Sequence, residues 1–410
     1  MKPRRIFMLA GESSGDLLGQ DLMNGLRELQ PDTQISGIGG PAMQQAGMKS
    51  LFPYDELSVM GFAEVGKHLP NLLRRLRETT NAVLSGNFDA LVTIDSPDFS
   101  LRVCRRVKRA GKPIKIVHYV SPTIWAWRPR RAVKIRRSVD HILALFPFEP
   151  AYLNRAGIPS TFVGHPTAFV QGPDKQSMAQ LRNELRVEDK QLLAVLPGSR
   201  KSEIDRLLPV FANAANEIVS RRDDICLVVA AARSVAQQLQ SSRDLWPTGT
   251  RILDPRPFGV VEAEQRKRTL FSCTHLALAA SGTVTLELAR FETPMVVAYD
   301  MHWLSRMIVK RLLLVDTVTL ANLIVGRNVV PEFLGQRCRS DAIASELSLL
   351  LKDERRRQAQ VTAFNEALDL LGRGGEDPGL RAARAVFDAI ESEDDATLQD
   401  NEHTTLKRSA

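Results

Sequence analysis

Two stretches, Leu192–Leu207 (LLAVLPGSRKSEIDRL) and His275–Arg290 (HLALAASGTVTLELAR), decide the fold of this chain. Each opens as an apolar run of strand length, Leu192–Leu196 and His275–Ala280. Each then breaks at small turn residues and continues in a helical pattern. A small-residue turn between strand and helix leaves backbone N–H groups without intrahelical partners at the positive end of the helix dipole, where phosphate binds. Arg200 adds a planar fork of donors matched to phosphate oxygens. Glu287, on the first turns of the second helix, is placed to meet the ribose hydroxyls of a nucleotide held there. Gly198, Ser199, Arg200, Ser281, Gly282, Thr283 and Glu287 are therefore candidate nucleotide contacts. Two such turns in one half of a chain point to a bound sugar nucleotide, and hence to group transfer.

The same alternation runs through the rest of the sequence. Strand-like runs fall at Ile6–Ala10, Ile35–Ile38, Ala90–Ile94, Ile114–Tyr119, His141–Leu145 and Thr161–Val163. A second series falls at Leu192–Leu196, Ile225–Ala230, Leu276–Ala280 and Met295–Ala298. Helical patterns such as Leu17–Gln30, Leu101–Ala110, Glu203–Arg221 and Thr283–Phe291 separate them. Strands alternating with helices predict an α/β fold of parallel sheets covered on both faces. At 410 residues the chain is too long for one core. The polar joint Gln171–Lys175 divides it into an N-terminal doubly wound domain over 1–170 and a second over 171–378. A closing helix is expected over 379–390, and an acidic, disordered tail over 391–410. Doubly wound sheets bind ligands at the carboxyl ends of their strands, so two facing sheets predict a ligand in a central cleft.

Composition excludes several classes. With 44% hydrophobic and 25% charged residues the chain is an ordinary globular one, and no apolar run reaches the ~18–20 residues that span a bilayer. Lys2-Pro3-Arg4-Arg5 and the Ile6–Ala10 run imitate a secretory signal, but Glu12 and Asp16 end it too soon. Cys104, Cys226, Cys273 and Cys338 lie far apart, as reduced thiols of a cytoplasmic protein do, rather than as a metal cage. The net charge of +8 points to anionic partners: a nucleotide diphosphate, a phospholipid surface or nucleic acid.

The first half carries its polar groups at strand ends. Ala10-Gly11-Glu12-Ser13-Ser14-Gly15-Asp16 follows the first run but lacks the G-x-G-x-x-G dinucleotide fingerprint. Gly37-Ile38-Gly39-Gly40-Pro41 follows the second and reads as an open lip to the cleft. Plain turn chemistry accounts for either motif about as well as ligand binding does. Ile94-Asp95-Ser96-Pro97-Asp98-Phe99 sets two carboxylates at a strand end stiffened by proline. A sugar hydroxyl is a weak nucleophile until a base takes its proton. Asp95 is the better candidate base, and Asp98 the better N-cap of the following helix. His118-Tyr119-Val120-Ser121-Pro122 leads through Trp125, Trp127 and Arg128 into a basic helix, readable as a pocket wall or as a nucleic-acid patch. His118 and His165 read as structural histidines. Two apolar stripes flanked by basic residues have the look of interfacial helices: Phe62, Val65, Leu69, Leu72, Leu73 and Leu76 in 61–77, and Trp303 and Met307 in 302–315. Core-facing helices with a solvated basic side give the same pattern.

These blocks, in this order, resemble the lipid-A-disaccharide synthase family. The residues that carry the resemblance are Gly11–Asp16, Gly39-Gly40-Pro41, Val59-Met60-Gly61, Asp95–Phe99, Tyr119–Pro122 with Trp125-Ala126-Trp127, Leu196–Arg200, Ala280–Thr283 with Glu287, Pro294–Val297 and Ala321-Asn322-Leu323-Ile324. They span the chain from about residue 5 to about residue 390. The resemblance implies two Rossmann-like domains of the GT-B kind. It implies inverting transfer of 2,3-diacylglucosamine from its UDP donor to the 6-hydroxyl of 2,3-diacylglucosamine 1-phosphate, giving a β-1,6 disaccharide and UDP in lipid A biosynthesis. It further implies no metal or cofactor, peripheral association with inner-leaflet phospholipid on the cytoplasmic face of the inner membrane, no nucleic acid, and a homodimer with exchanged C-terminal segments. By the same resemblance Asp95 is the essential carboxylate, with Glu12 and Asp98 beside it. The UDP contacts extend to Asn322 and Gln336. A UDP-sugar 2-epimerase of the same fold is the nearest rival reading, and an RNA-binding protein a weaker one.

Overall fold

A computed structural model describes residues 3–57, 62–123, 129–187, 189–300 and 317–406, with side chains left out at 62–68, 129–131 and 393–406. The chain divides into two compact units, Met1–Pro166 with Gly374–Ala410, and Thr167–Arg373. The division falls a few residues before the Gln171–Lys175 joint, and the C-terminal segment belongs with the first unit.

In the first unit the strands are β1 (Arg5–Ala10), β2 (Gln34–Ile38), β3 (Ala90–Ile94), β4 (Lys115–Tyr119), β5 (His141–Ala144) and β6 (Ser160–Phe162). They form one parallel sheet in the order β2-β1-β3-β4-β5-β6. Its helices include α1 (Ser13–Leu29), α2 (Pro41–Gln45), α3 (Phe62–Ser85), α4 (Pro97–Arg109) and α5 (Pro129–Arg136). Alternation along β1 explains the two covered faces. Ile6, Met8 and Ala10 pack with Leu22, Met23 and Leu26 of α1, while Phe7 and Leu9 pack with Val103 and Val107 of α4.

The second unit repeats the plan with β7 (Gln191–Leu196), β8 (Ile225–Ala230), β9 (Arg251–Leu253), β10 (Leu276–Ala280), β11 (Met295–Tyr299) and β12 (Glu332–Leu334) in the order β12-β11-β10-β7-β8-β9. Its site-bearing helices are α6 (Lys201–Val219), α7 (Val260–Cys273) and α8 (Val284–Arg290). β9 and β12 are edge strands of three residues, too short to show any period in the sequence.

The last helix, α9 (Pro378–Leu406), packs against α1 in the first unit. Two glycines let the helices approach closely: a Cβ on Gly25 would lie 2.6 Å from the Gly379 carbonyl oxygen. Ala382, Ala383, Val386 and Ile390 complete the seam. That buried set ends at Ile390, where the sequence reading ends the helix, but the backbone stays helical to Leu406.

Candidate active site

Both sheets reverse strand order beside their first strand, β1 against β3 in one and β7 against β10 in the other. Neighbouring loops diverge at such a switch point and open a crevice at the carboxyl ends of the strands. The polar motifs of the sequence sit on these two crevices.

In the first unit the loops after β1 and β3 hold each other's carboxylates. Ser96 Oγ donates to Glu12 Oε1 at 3.0 Å, and Ser14 Oγ donates to Asp95 Oδ2 at 3.3 Å. Asp95 Oδ1 also accepts the Ser96 N–H at 2.9 Å. Asp95 (φ 51°), Ser96 (φ 43°) and Val120 (φ 77°) are all left-handed. That conformation is costly for non-glycine residues, most of all for a β-branched one. Tertiary bonds hold it: Asp95 N–H to Tyr119 O at 2.9 Å, Val120 N–H to Leu143 O at 3.0 Å, and Ser100 Oγ to Asp95 O at 2.9 Å. The strained residues thus lie together at the carboxyl ends of two adjacent strands, β3 and β4. The serine pairing is invisible in sequence, because its partners lie more than 80 residues apart.

Two expectations for this unit need correction. Asp98 is not the cap of α4: Ser96 holds the N-cap position, Pro97 opens the helix, and Asp98 lies in the first turn. Gly39-Gly40-Pro41 is not an open lip either. Buried Asp16 accepts N–H groups from Gly40 (2.7 Å), Ala42 (2.8 Å) and Met43 (3.1 Å), and so ties the start of α2 to α1. His118 is fully buried, its Nδ1 lies 2.8 Å from Thr93 Oγ1, and burial pushes its pKa down to about 4. His165 stacks on Phe146 and is likewise pushed down to about 4 by loss of solvent. Both are neutral near pH 7.

In the second unit a cavity of about 670 Å³ lies over the β7–β10 crevice. Gly198, Ser199, Arg200, Ser281, Gly282, Thr283 and Glu287 all line it. The turn after β10 supplies N–H groups: among the described residues no backbone acceptor takes those of Gly282 and Thr283. The turn after β7 departs from expectation. Glu203 Oε2 accepts the N–H groups of Ser199 (3.0 Å) and Arg200 (3.2 Å), while its Oε1 accepts the Tyr299 hydroxyl at 3.4 Å. The chain's own carboxylate occupies the anion position at the N-terminus of α6. Gly198 permits this, with φ at 116° and a would-be Cβ only 2.6 Å from Glu203 Oε2. What the β7 turn offers an incoming anion is the Arg200 guanidinium, exposed and 3.5 Å from Glu203.

Glu287 is held rather than free. Lys267 on α7 reaches its Oε2 at 2.6 Å and Glu264 at 2.8 Å. Burial alone would depress the Lys267 ammonium, but the two carboxylates outweigh it and raise its pKa above the usual lysine value. Arg233 binds the rim together by donating to Pro255 O (2.8 Å) and Phe258 O (2.7 Å). Arg266 lies over the Phe258 ring at 4.3 Å. Sequence reading missed Glu203, Lys267 and Arg233, since each acts through partners remote in the chain or inside a helix with no motif.

Asn322 and Gln336 do not join this cavity. Asn322 is 1% exposed and spends its whole amide on structure. Its Oδ1 accepts Val329 and Val330 N–H, and its Nδ2 donates to Val330 O and Thr317 Oγ1. Gln336 is exposed beyond β12, two strands from β10. On α3, Leu76 is 4% exposed and packs in the core with Phe7 and Leu9, so it is no lipid contact; Leu69 (43%) and Leu73 (37%) are exposed, and Leu72 is half-buried. The side chains of Phe62 and Val65, and Trp125, Trp127, Trp303 and Met307 altogether, lie outside what is described.

A sequence profile described as lipid-A-disaccharide synthetase matches residues 6–376. The lipid-A-disaccharide synthase of Ruegeria pomeroyi is 48% identical over 386 residues, covering 94% of this chain and 95% of the relative. This chain belongs to the lipid-A-disaccharide synthase family. The Rhodospirillum centenum member is 42% identical over 392 residues, covering 95% and 96%. Among solved structures, the Neisseria meningitidis UDP-GlcNAc 2-epimerase bound to UDP-GlcNAc covers 95% of this chain and 100% of its own, at a TM-score of 0.62 and 11% identity. The Methanocaldococcus jannaschii UDP-GlcNAc 2-epimerase, in complex with UDP-GlcNAc and UDP, covers 86% and 94% at a TM-score of 0.58 and 14% identity. Identity this low carries the fold alone, so the epimerases share with the family two doubly wound domains of the GT-B kind and lend no activity to this chain.

Proposed function

We propose that this chain transfers 2,3-diacylglucosamine from UDP-2,3-diacylglucosamine to the 6-hydroxyl of 2,3-diacylglucosamine 1-phosphate, releasing UDP and a β-1,6 disaccharide. The observation that carries this is family membership along almost the whole chain, with identity of 48% to one curated member. The residue roles are our own reading. Asp95, fixed by Ser14 and the Ser96 N–H, takes the acceptor proton, and Glu12 fixes the Ser96 side of the same turn. The hydroxyl then attacks C1 opposite the diphosphate, so one displacement inverts configuration. Arg200 and the Gly282–Thr283 turn stabilise the departing diphosphate. Glu287, with its charge balanced by Lys267, accepts the ribose hydroxyls.

No helix among the described residues is long and apolar enough to cross a membrane. We propose peripheral contact with anionic lipid through Leu69 and Leu73, beside Arg74 and Arg77. The test of function is incubation with both substrates and detection of the disaccharide by mass. With UDP-N-acetylglucosamine alone no second UDP-sugar forms; its appearance would favour epimerisation. Asp95→Asn lowers turnover about 10²- to 10⁴-fold while UDP-donor affinity holds. Retention of more than a tenth of turnover removes Asp95 as the base.

A further inference from the structure

Beside the strained Asp95–Ser96 turn, a second hollow of about 210 Å³ lies between α4 and α5. Its floor is apolar and buried, Leu101 at 7% and Ile135 at 1% exposure. Its walls are cationic: Arg102 and Arg105 from α4, and Lys134 from α5. Among the described residues none of these three side chains makes an ion pair or hydrogen bond, whereas neighbouring Lys108 is paired with Asp140. Asp98, Arg102 and Arg105 stand at i, i+4 and i+7, on one face of α4. That face runs about 10 Å along the axis from the first turn. The lining carries three cations against the single carboxylate of Asp98, an excess that suits a phosphate monoester dianion. Two arginine forks suit phosphate oxygens better than point charges do.

We propose that this groove binds the phosphate monoester of the acceptor sugar and so sets which hydroxyl faces Asp95. The proposal rests on the functional reading above, in which the acceptor carries a 1-phosphate and Asp95 deprotonates its other end. The donor's diphosphate belongs to the cavity of the second unit, and the groove opens within three residues of Asp95. An acceptor anchored there presents its hydroxyl to that carboxylate.

The test compares wild type with the Arg102→Ala/Arg105→Ala double variant in neutral detergent micelles. The acceptors are diacylglucosamine with and without its 1-phosphate. The double variant raises KM for the phosphorylated acceptor about 10- to 100-fold, the loss of one or two charge-assisted bonds, and leaves donor KM unchanged. Wild type prefers the phosphorylated acceptor and the variant does not. An unchanged preference overturns the proposal. So does weaker binding to anionic vesicles with KM unaltered in micelles, which would make the groove a bilayer contact. If wild type forms no disaccharide at all, the functional reading fails separately. The groove is then judged by calorimetric titration with glucosamine 1-phosphate, bound by wild type and not by the variant; equal binding, or none to either, overturns it.

Discussion

At the scale of single residues, charge at the β7–β10 cavity is apportioned among its own side chains. Glu203 satisfies the Ser199 and Arg200 N–H groups, and Lys267 bridges Glu264 and Glu287. Arg200 is left exposed at the β7 turn, the group that the proposed mechanism sets against the departing diphosphate. Arg200→Ala therefore lowers kcat/KM for the UDP donor by about 100- to 1,000-fold, the scale of one lost donor in an oxyanion site. The measurement is steady-state kinetics with varied donor. Asn322 acts differently, since its amide joins Thr317, Val329 and Val330. Asn322→Ala leaves those buried groups unpaired and costs about 2–4 kcal/mol of stability. The drop shows in urea unfolding, and the folded fraction keeps its donor KM. A raised donor KM at unchanged stability would make Asn322 a ligand contact instead. The sequence motif around Asn322 was visible; that the side chain turns inward was not, because a motif records identity and spacing rather than direction.

At the scale of elements, α3 shows how an amphipathic stripe divides. Leu69 and Leu73 lie a turn apart on its exposed side, while Leu76 enters the core under β1 and β3. Leu69→Ser/Leu73→Ser lowers sedimentation with anionic vesicles several-fold at low salt and leaves thermal unfolding unchanged. Leu76→Ser instead lowers stability by about 2–5 kcal/mol, as core leucine truncations do. Vesicle binding untouched by the first variant would remove this face as the lipid contact. Sequence periodicity placed all these leucines on one stripe, yet a stripe more than 100° wide reaches from core to rim. Only the packed neighbours show which edge is wet. The helix start at Pro97 follows the same logic. Asp98 had the composition of a cap, but the turn after β3 closes two residues earlier, with Ser96 left-handed.

At the scale of the molecule, one plan is built twice: six parallel strands with order reversing beside the first. The first crevice carries Glu12 and Asp95, and the second carries Arg200 with the open Gly282 and Thr283 N–H groups beside Glu203, Glu264 and Glu287. His118 gives the first unit a pH dependence. Its folded pKa is near 4, against about 6.5 for a free histidine, so the unfolded chain binds more protons in between. The stability tied to its neutral ring is present above pH 6.5 and is lost as pH falls toward 4, by up to about 1.4 kcal/mol per pH unit. Urea unfolding at pH 7.5 and 5 measures the slope. His118→Gln removes its share of that slope and leaves the share of His165, which burial pushes down to the same value; an unchanged slope would mean the proton goes elsewhere.

The pattern of apolar runs and small-residue turns was enough to determine two parallel α/β units and the loops that carry the chemistry. Strand identity and turn composition are local properties, set by a few neighbouring side chains. Spacing also placed Asp95 and Arg200 at strand ends, and the ordered blocks from Gly11 to Ile324 marked the family. Tertiary structure alone decided which of those groups meet. Ser96 reaching Glu12, Glu203 filling the Ser199 turn and Lys267 binding Glu287 are contacts between side chains brought together by strand order and helix packing. Such contacts depend on direction in space, which no short window of sequence contains.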